Sequence, residues 1–259
     1  MKHPTALIDP TADLSADVSV GAFAVIEGGV KIGAGCQIAA HAVVKRGTTL
    51  EEKVFVDHHA VIGGLPQDLT FNPSTTTYVK IGARTVIREH VTIHRATHAE
   101  RATVIGPDCM LMASSHVAHD CTVGHHVIIA NGAMLAGHLQ VGDYAFISGG
   151  VAIHQFCRVG SGALISGNAV ITADVAPCTL SHSRNAIAGL NLIGLRRRKV
   201  SPEAIIELKQ AYHLVFQEGA DCQAQADQAL ANGKFVTPEG LDFLKFFQGG
   251  KRGQFVYPE

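Results

Sequence analysis

His116, His119, His125, His126, His138 and His154 crowd the middle of a chain that carries 15 histidines in all. A freely solvated imidazole titrates near about 6.5, so much of it is the neutral base at neutral pH. Asp120 follows His119 directly and offers a carboxylate to orient it. An imidazole that removes a hydroxyl proton, set beside an N–H that receives a developing oxyanion, is the equipment of acyl transfer. Three converging imidazoles are also the donor set of a zinc site. Cys121 and Ser115 offer a third chemistry, covalent catalysis, provided their side chains are accessible. Which of these applies depends on what the backbone brings together.

The backbone is legible from its rhythm. Ile8, Leu14, Val20, Ile26, Ile32, Ile38, Val44, Leu50, Val56 and Ile62 recur every sixth residue, and the beat returns from Ile81 to Ile171. Neither a helix nor a simple strand has that period; a parallel β-helix of hexapeptide repeats does. Three hexads form one triangular coil, with the aliphatic first position and the small fifth position inward. Cys36, Cys109, Cys121 and Cys157 hold fifth positions, as does Ser115, so all five are expected to be buried packers rather than nucleophiles. Glycine or asparagine at third and fourth positions, Gly137 and Gly167 among them, suits corners that need positive φ.

Residues one coil apart stack. His119, Gly137 and Gln155 therefore fall in one column, with Asp120 and His138 in the next, one or two strand spacings apart. Residues 64–80 interrupt the beat and shift it, while 96–103 are degenerate but keep register. A loop leaving a rigid repeat is a natural carrier of binding residues, which makes 64–80 a site candidate. Beyond Pro177 the rhythm stops. Ser201-Pro202-Glu203 opens a helix expected to reach Gly219, a shorter helix covers about 221–232, and Thr237-Pro238-Glu239 opens another. The expected organisation is a β-helix over 1–186, with its excursion at 64–80, and a small α-helical unit over 187–259.

Charged residues make up 17% of the chain and the net charge is −1, so no broad field favours nucleic acid or an anionic membrane. The first residues, MKHPTALIDP, resemble no signal peptide, and no apolar run is long enough to span a bilayer. A cytoplasmic protein without stable membrane insertion is expected. Arg196, Arg197, Arg198 and Lys199 form a basic cluster suited to a diphosphate or an acidic carrier.

The motifs HVAHD (His116–Asp120), AGH (Ala136–His138), IHQFC (Ile153–Cys157), PQDL (Pro66–Leu69), IREHVTIHR (Ile87–Arg95) and NLIGLRRR (Asn191–Arg198) occur in the order of one family. The chain resembles the acyl-carrier-protein:UDP-N-acetylglucosamine O-acyltransferases of lipid A synthesis over essentially its whole length. The resemblance implies a left-handed coil, a homotrimer with clefts between neighbouring prisms, and acyl carrier protein and UDP-N-acetylglucosamine as partners, with no cofactor or metal. It implies that His119 is the general base, Asp120 its orienting carboxylate and the Gly137 N–H the oxyanion donor. Gln67, Asp68, His116, His138, His154 and Gln155 would contact sugar or acyl group, Asn191 and Arg197 the uridine diphosphate. Gly167 matches the family's chain-length ruler and implies a long, 3-hydroxylated acyl group. One position departs: Thr70 stands where the family generally has lysine, which leaves open a modified sugar such as a 3-amino analogue. A zinc enzyme like the gamma-class carbonic anhydrases, which share this helix, is the rival reading.

Overall fold

A computed structural model describes residues 1–219, 221–250 and 253–258; Glu259, the end of the expected helical unit, lies outside them. Short strands stack into three sheets of nine, eight and eleven strands, parallel but for one C-terminal pair, which are the faces of a left-handed triangular coil. The first face runs through Leu7–Ile8, Val61–Gly64, His116–Val117 and Val170–Ile171. The second runs through Asp13–Leu14, Thr122–Val123 and Arg158–Val159, and the third through Ser19–Val20, Ile128–Ile129 and Leu164–Ile165. Register confirms the coil length: His116 pairs with Met134, and Met134 with Ala152. The first edge is the corner between first and second faces, and the second and third edges follow in chain order.

First-position aliphatics and fifth-position small residues fill the prism. Ile62, Ile93, Leu111, Ile129 and Leu135 are fully buried, as are Cys36, Ser115, Cys121, Ala133 and Cys157. Several thiols donate to a carbonyl in the next coil: Cys36 to Glu51 O at 2.9 Å, Cys109 to Gly124 O and Cys121 to Ala136 O, both at 3.1 Å. Burial pushes the Cys121 thiol up to about 12 and Cys109 to about 11, which removes both as nucleophiles. All six cysteines are free.

Both interruptions leave from the first edge. The longer joins Val61–Gly64 to Tyr78–Ile81, and Val79–Ile81 still pair with Thr48–Leu50, so the ladder closes behind the loop. The shorter joins Thr92–His94 to Ala102–Ile105. At the C-terminal end an antiparallel pair, Thr179–His182 with Ala186–Leu190, caps the third face and receives Tyr257–Pro258. The hexad beat gave no sign of this pair. The expected division at 186/187 therefore cuts a strand, and the chain leaves the sheet only at Asn191.

Short helix α1 (Leu192–Arg197), with Arg196 and Arg197 in its last turn, precedes the three expected helices, α2 (Pro202–Val215), α3 (Cys222–Ala231) and α4 (Pro238–Phe246). The Ser201, Asp221 and Thr237 side chains cap the last three. α2 stops at Val215 rather than Gly219 because Phe216 turns into a ring cluster with Tyr212, Phe243 and Phe247. No helix of the described residues is long and apolar enough to cross a membrane.

Asp174 is fully buried where prism meets helices. It accepts from the Arg158 backbone N–H and from Arg158 Nε, both at 2.7 Å, while Arg158 Nη2 donates to Gly249 O at 3.0 Å. The same guanidinium lies 4.3 Å from the Phe246 ring centroid. Asp174→Ala strands a guanidinium and a backbone donor, so it is expected to cost about 3 kcal/mol in urea unfolding. An unchanged urea midpoint would show the pair to be incidental.

Candidate functional site

The first edge gathers the chemistry. His119 Nδ1 lies 2.8 Å from Asp120 Oδ2. The shorter loop supplies a partner that sequence reasoning missed: Thr97 Oγ1 donates to Asp120 Oδ2 at 2.7 Å and its N–H approaches both carboxylate oxygens at 3.2 Å. Burial pushes the Asp120 carboxyl up, but hydrogen bonds from His119 and Thr97 outweigh it and the group settles at about 2. An ionised Asp120 only accepts, so this network assigns the proton to His119 Nδ1 and leaves the Nε2 lone pair free to act as a base. His138 Nε2 is 3.7 Å from the same carboxylate, and its ring stacks on Phe156 at 4.5 Å.

Gly137 was expected as a corner glycine needing positive φ. It is not one. In these coils the left-handed residues are those that follow His119, Gly137 and Gln155, namely Asp120, His138 and Phe156, with φ of 59°, 62° and 67°. Non-glycine residues hold many such corners, because ladder pairing above and below imposes the turn despite a cost of roughly 1–2 kcal/mol each. Gly137 is needed for close approach instead: a Cβ there would sit 2.5 Å from His119 Cε1 and 2.8 Å from Nε2. The imidazole lies directly against this backbone. No hydrogen bond among the described residues uses the Gly137 N–H.

His116 Nδ1 is 2.7 Å from Thr92 Oγ1, and its ring meets His94 edge-on at 4.7 Å. His94, also missed from sequence, is 9% exposed, and its Nδ1 has no hydrogen-bond partner. Burial, then the neighbouring His116 and His119, push it down to about 4. The native state thus refuses a proton that the unfolded chain accepts near about 6.5, so stability present at neutral pH is lost as pH falls towards 4, on the order of 3 kcal/mol. His94→Gln is expected to flatten the fall in thermal midpoint between pH 7 and pH 4.5; an unaltered slope would count against this account.

The excursion loop brings Asp68 close enough for its carboxylate to feel His119 and His138. That carboxyl is held below its usual range chiefly by the Thr70 N–H and hydroxyl, both at 2.8 Å. Thr70 therefore shapes the loop. Gln67, His154 and Gln155 are exposed, with His154 Nδ1 3.2 Å from Gln155 O. Beside the column, a cleft of about 480 Å³ is lined by Asp120, Thr122, His138, Gln140, Phe156 and Arg158.

Three expected residues are not gathered here within one chain. Gly167 is exposed on the third edge. Asn191 is buried as the cap of α1, accepting from Gly194 N at 3.0 Å and donating to Gly162 O at 3.1 Å, which puts it and the exposed Arg197 by the second edge. The group among the described residues able to hold a metal is His119, Asp120 and His138, with ligand atoms within 4.8 Å. That group offers two imidazoles and a carboxylate already bonded to Thr97, and the three-imidazole zinc site would need its further histidine from a neighbouring chain.

A hexapeptide β-helix with a buried imidazole beside a half-buried carboxylate on one edge places the chain in the hexapeptide-repeat class, whose family model is that of bacterial transferases. The chain matches the model for bacterial transferase hexapeptides at residues 12–46 and 102–137, and that for UDP-N-acetylglucosamine O-acyltransferase, domain 2, at 174–255. It is 41% identical to the acyl-[acyl-carrier-protein]–UDP-N-acetylglucosamine O-acyltransferase of Thermodesulfovibrio yellowstonii, across 97% of each chain. It is 50% identical to the enzyme of the same name from a Psychrobacter species, across 84% of each. The solved LpxA of Acinetobacter baumannii superposes with a TM-score of 0.92 at 34% identity, covering 98% of this chain and 99% of that one. The chain belongs to the acyl-[acyl-carrier-protein]–UDP-N-acetylglucosamine O-acyltransferase family. Neither an anhydrase nor an enzyme for a modified sugar is favoured by these relatives.

Proposed function

We propose that this protein transfers a long 3-hydroxyacyl group from acyl carrier protein to the 3-hydroxyl of UDP-N-acetylglucosamine, the first step of lipid A synthesis, in the cytoplasm. The observation that carries the reading is the His119 ring, tied to Asp120 through Nδ1 and lying against Gly137. His119 Nε2 takes the proton of the sugar hydroxyl as that oxygen attacks the thioester carbonyl. The oxyanion so formed receives the Gly137 N–H, and its collapse expels the carrier thiolate, which recovers the proton from the imidazolium. Asp120 holds the productive tautomer and stabilises the imidazolium while it exists. No covalent enzyme intermediate and no cofactor are needed.

Outward side chains support the expected trimer. The third face presents Phe55, Val86, Met110, Ile128, Phe146 and Leu164 in one paired column. The first face presents Leu7, Val25, Val43, Val61, Met134 and Val170, interrupted by Thr92 and His116, whereas the second presents Asp13, Lys31, Thr122 and Gln140. Two apolar faces and one polar face suit a closed ring, with the first face of each prism against the third face of the next. That ring sets the neighbour's second edge, with Asn191 and Arg197, opposite His119. An acyl chain running inward over Met134 and Val170 would reach Gly167 on the third edge, where the missing side chain leaves room.

The deciding assay supplies hydroxyacyl carrier proteins of graded length with UDP-N-acetylglucosamine and follows the acylated UDP-sugar by mass spectrometry. Turnover with donors above ten carbons is expected. Strict preference for a ten-carbon donor would overturn the role of Gly167, and no acylated product from any donor would overturn the function.

A further inference from the structure

The excursion that brings Asp68 to the first edge encloses a second cavity at its root, of about 260 Å³. Arg46, Gly47, Ser74, Thr77, Tyr78 and Arg95 are among its walls. Arg95 is 9% exposed; its Nη2 donates to Pro73 O at 3.1 Å and its guanidinium lies 5.7 Å from the Phe71 ring centroid. Its buried Nε has no hydrogen-bond partner, and neither has the buried hydroxyl of Thr77. Both residues line the cavity, and the exposed guanidinium of Arg46 and the Nη side of Arg95 gather positive charge on one wall, which suits an anion.

The nearby carboxylates are engaged elsewhere. Glu27 accepts from the Arg46 backbone N–H at 2.9 Å and pairs with Lys45 Nζ at 3.2 Å. Glu100 accepts from the Tyr78 hydroxyl at 3.1 Å. Burial holds the Arg95 guanidinium below its ordinary range; Glu27 opposes that and Arg46 adds to it, so Arg95 lacks a full counter-charge. We propose that this cavity binds a phosphate-class oxyanion, held by the Arg46 and Arg95 guanidinium groups. Two cationic forks, able only to donate, match an acceptor-only group with several oxygens.

Such an anion would bridge the excursion to the prism and stiffen the segment that carries Gln67 and Asp68. Successive first-face pairs, Val43 with Val61, Val61 with Thr92 and Thr92 with His116, set the Arg46 coil three strand spacings from the His119 coil, about 14 Å along one edge. The anion is therefore either free phosphate or the phosphodiester of the carrier's prosthetic arm, whose thioester would be at His119.

The test uses the full-length protein and two probes. Inorganic phosphate, against chloride at matched ionic strength, is expected to raise the thermal midpoint by about 3 °C at saturation, and Arg46→Gln or Arg95→Gln to abolish the shift. Arg46→Gln is the cleaner variant, because its side chain is exposed and the fold does not depend on it. The second probe rests on the acyl-transfer reading: KM for an acyl-phosphopantetheine donor against an acyl-N-acetylcysteamine donor, which has no phosphate. A rise of about tenfold in Arg46→Gln for the first donor alone identifies the carrier phosphodiester as the ligand. A phosphate-dependent shift with both KM values unchanged identifies the free anion. No shift in the wild type together with no change in either KM overturns the site, and turnover by the wild type is read in the same assay, so failure of the transferase reading would be seen separately.

Discussion

His119→Ala is expected to lower kcat by about 10²–10⁴-fold, the usual contribution of a general base in the transition state. The fold should survive, because the imidazole lies on the prism edge, outside the inner ladders of Ile93, Leu111 and Ile129. Removing it leaves Asp120 hydrogen-bonded to Thr97, so no carboxylate is orphaned. Two readouts separate chemistry from damage. Added imidazole should restore part of the rate, because the vacated space beside Gly137 admits a ring, and the far-UV circular dichroism should be unchanged. Equal turnover by the variant would remove His119 from the mechanism.

The second large effect is expected at Gly137. Alanine there keeps the backbone N–H, yet its methyl would meet the His119 ring at 2.5–3.1 Å. The ring must swing away, and in doing so it gives up the 2.8 Å bond to Asp120 that sets its tautomer. A fall in kcat of about 10²–10³-fold is expected from misplacing base and oxyanion donor together. The double variant is the sharper measurement. With the imidazole absent the methyl has space, so His119→Ala with Gly137→Ala should be no slower than His119→Ala alone. Additive losses in that cycle would falsify the close-approach explanation and return Gly137 to a purely backbone role.

These two residues also show how far reading a sequence can go. Register alone puts residue 137 above residue 119, since a parallel coil must stack positions one turn apart. The reason for glycine there was not legible. From sequence it resembled the corner glycines Gly132 and Gly150, which do adopt positive φ; only the position of the His119 ring shows that the constraint is space. Thr97 and His94 escaped notice for a related cause. Thr97 sits in a stretch where the hexad beat is degenerate, and nothing local says that a loop folds back to bond Asp120. His94 ends a strand in an ordinary hexad, and its burial depends on His116 packing over it.

Periodicity determined the prism, its inner ladders and the stacked columns, because a six-residue beat is a local property that every coil repeats. The antiparallel cap of Ala186–Leu190, the early stop of α2 at Val215 and the buried cap at Asn191 were decided by tertiary contacts between segments far apart in the chain. So was the separation of Asn191 and Arg197 from the His119 edge. Spacing in sequence fixes which residues share a column, but which columns face a common groove depends on how the faces pack, and that is a question of surface energy rather than of local pattern.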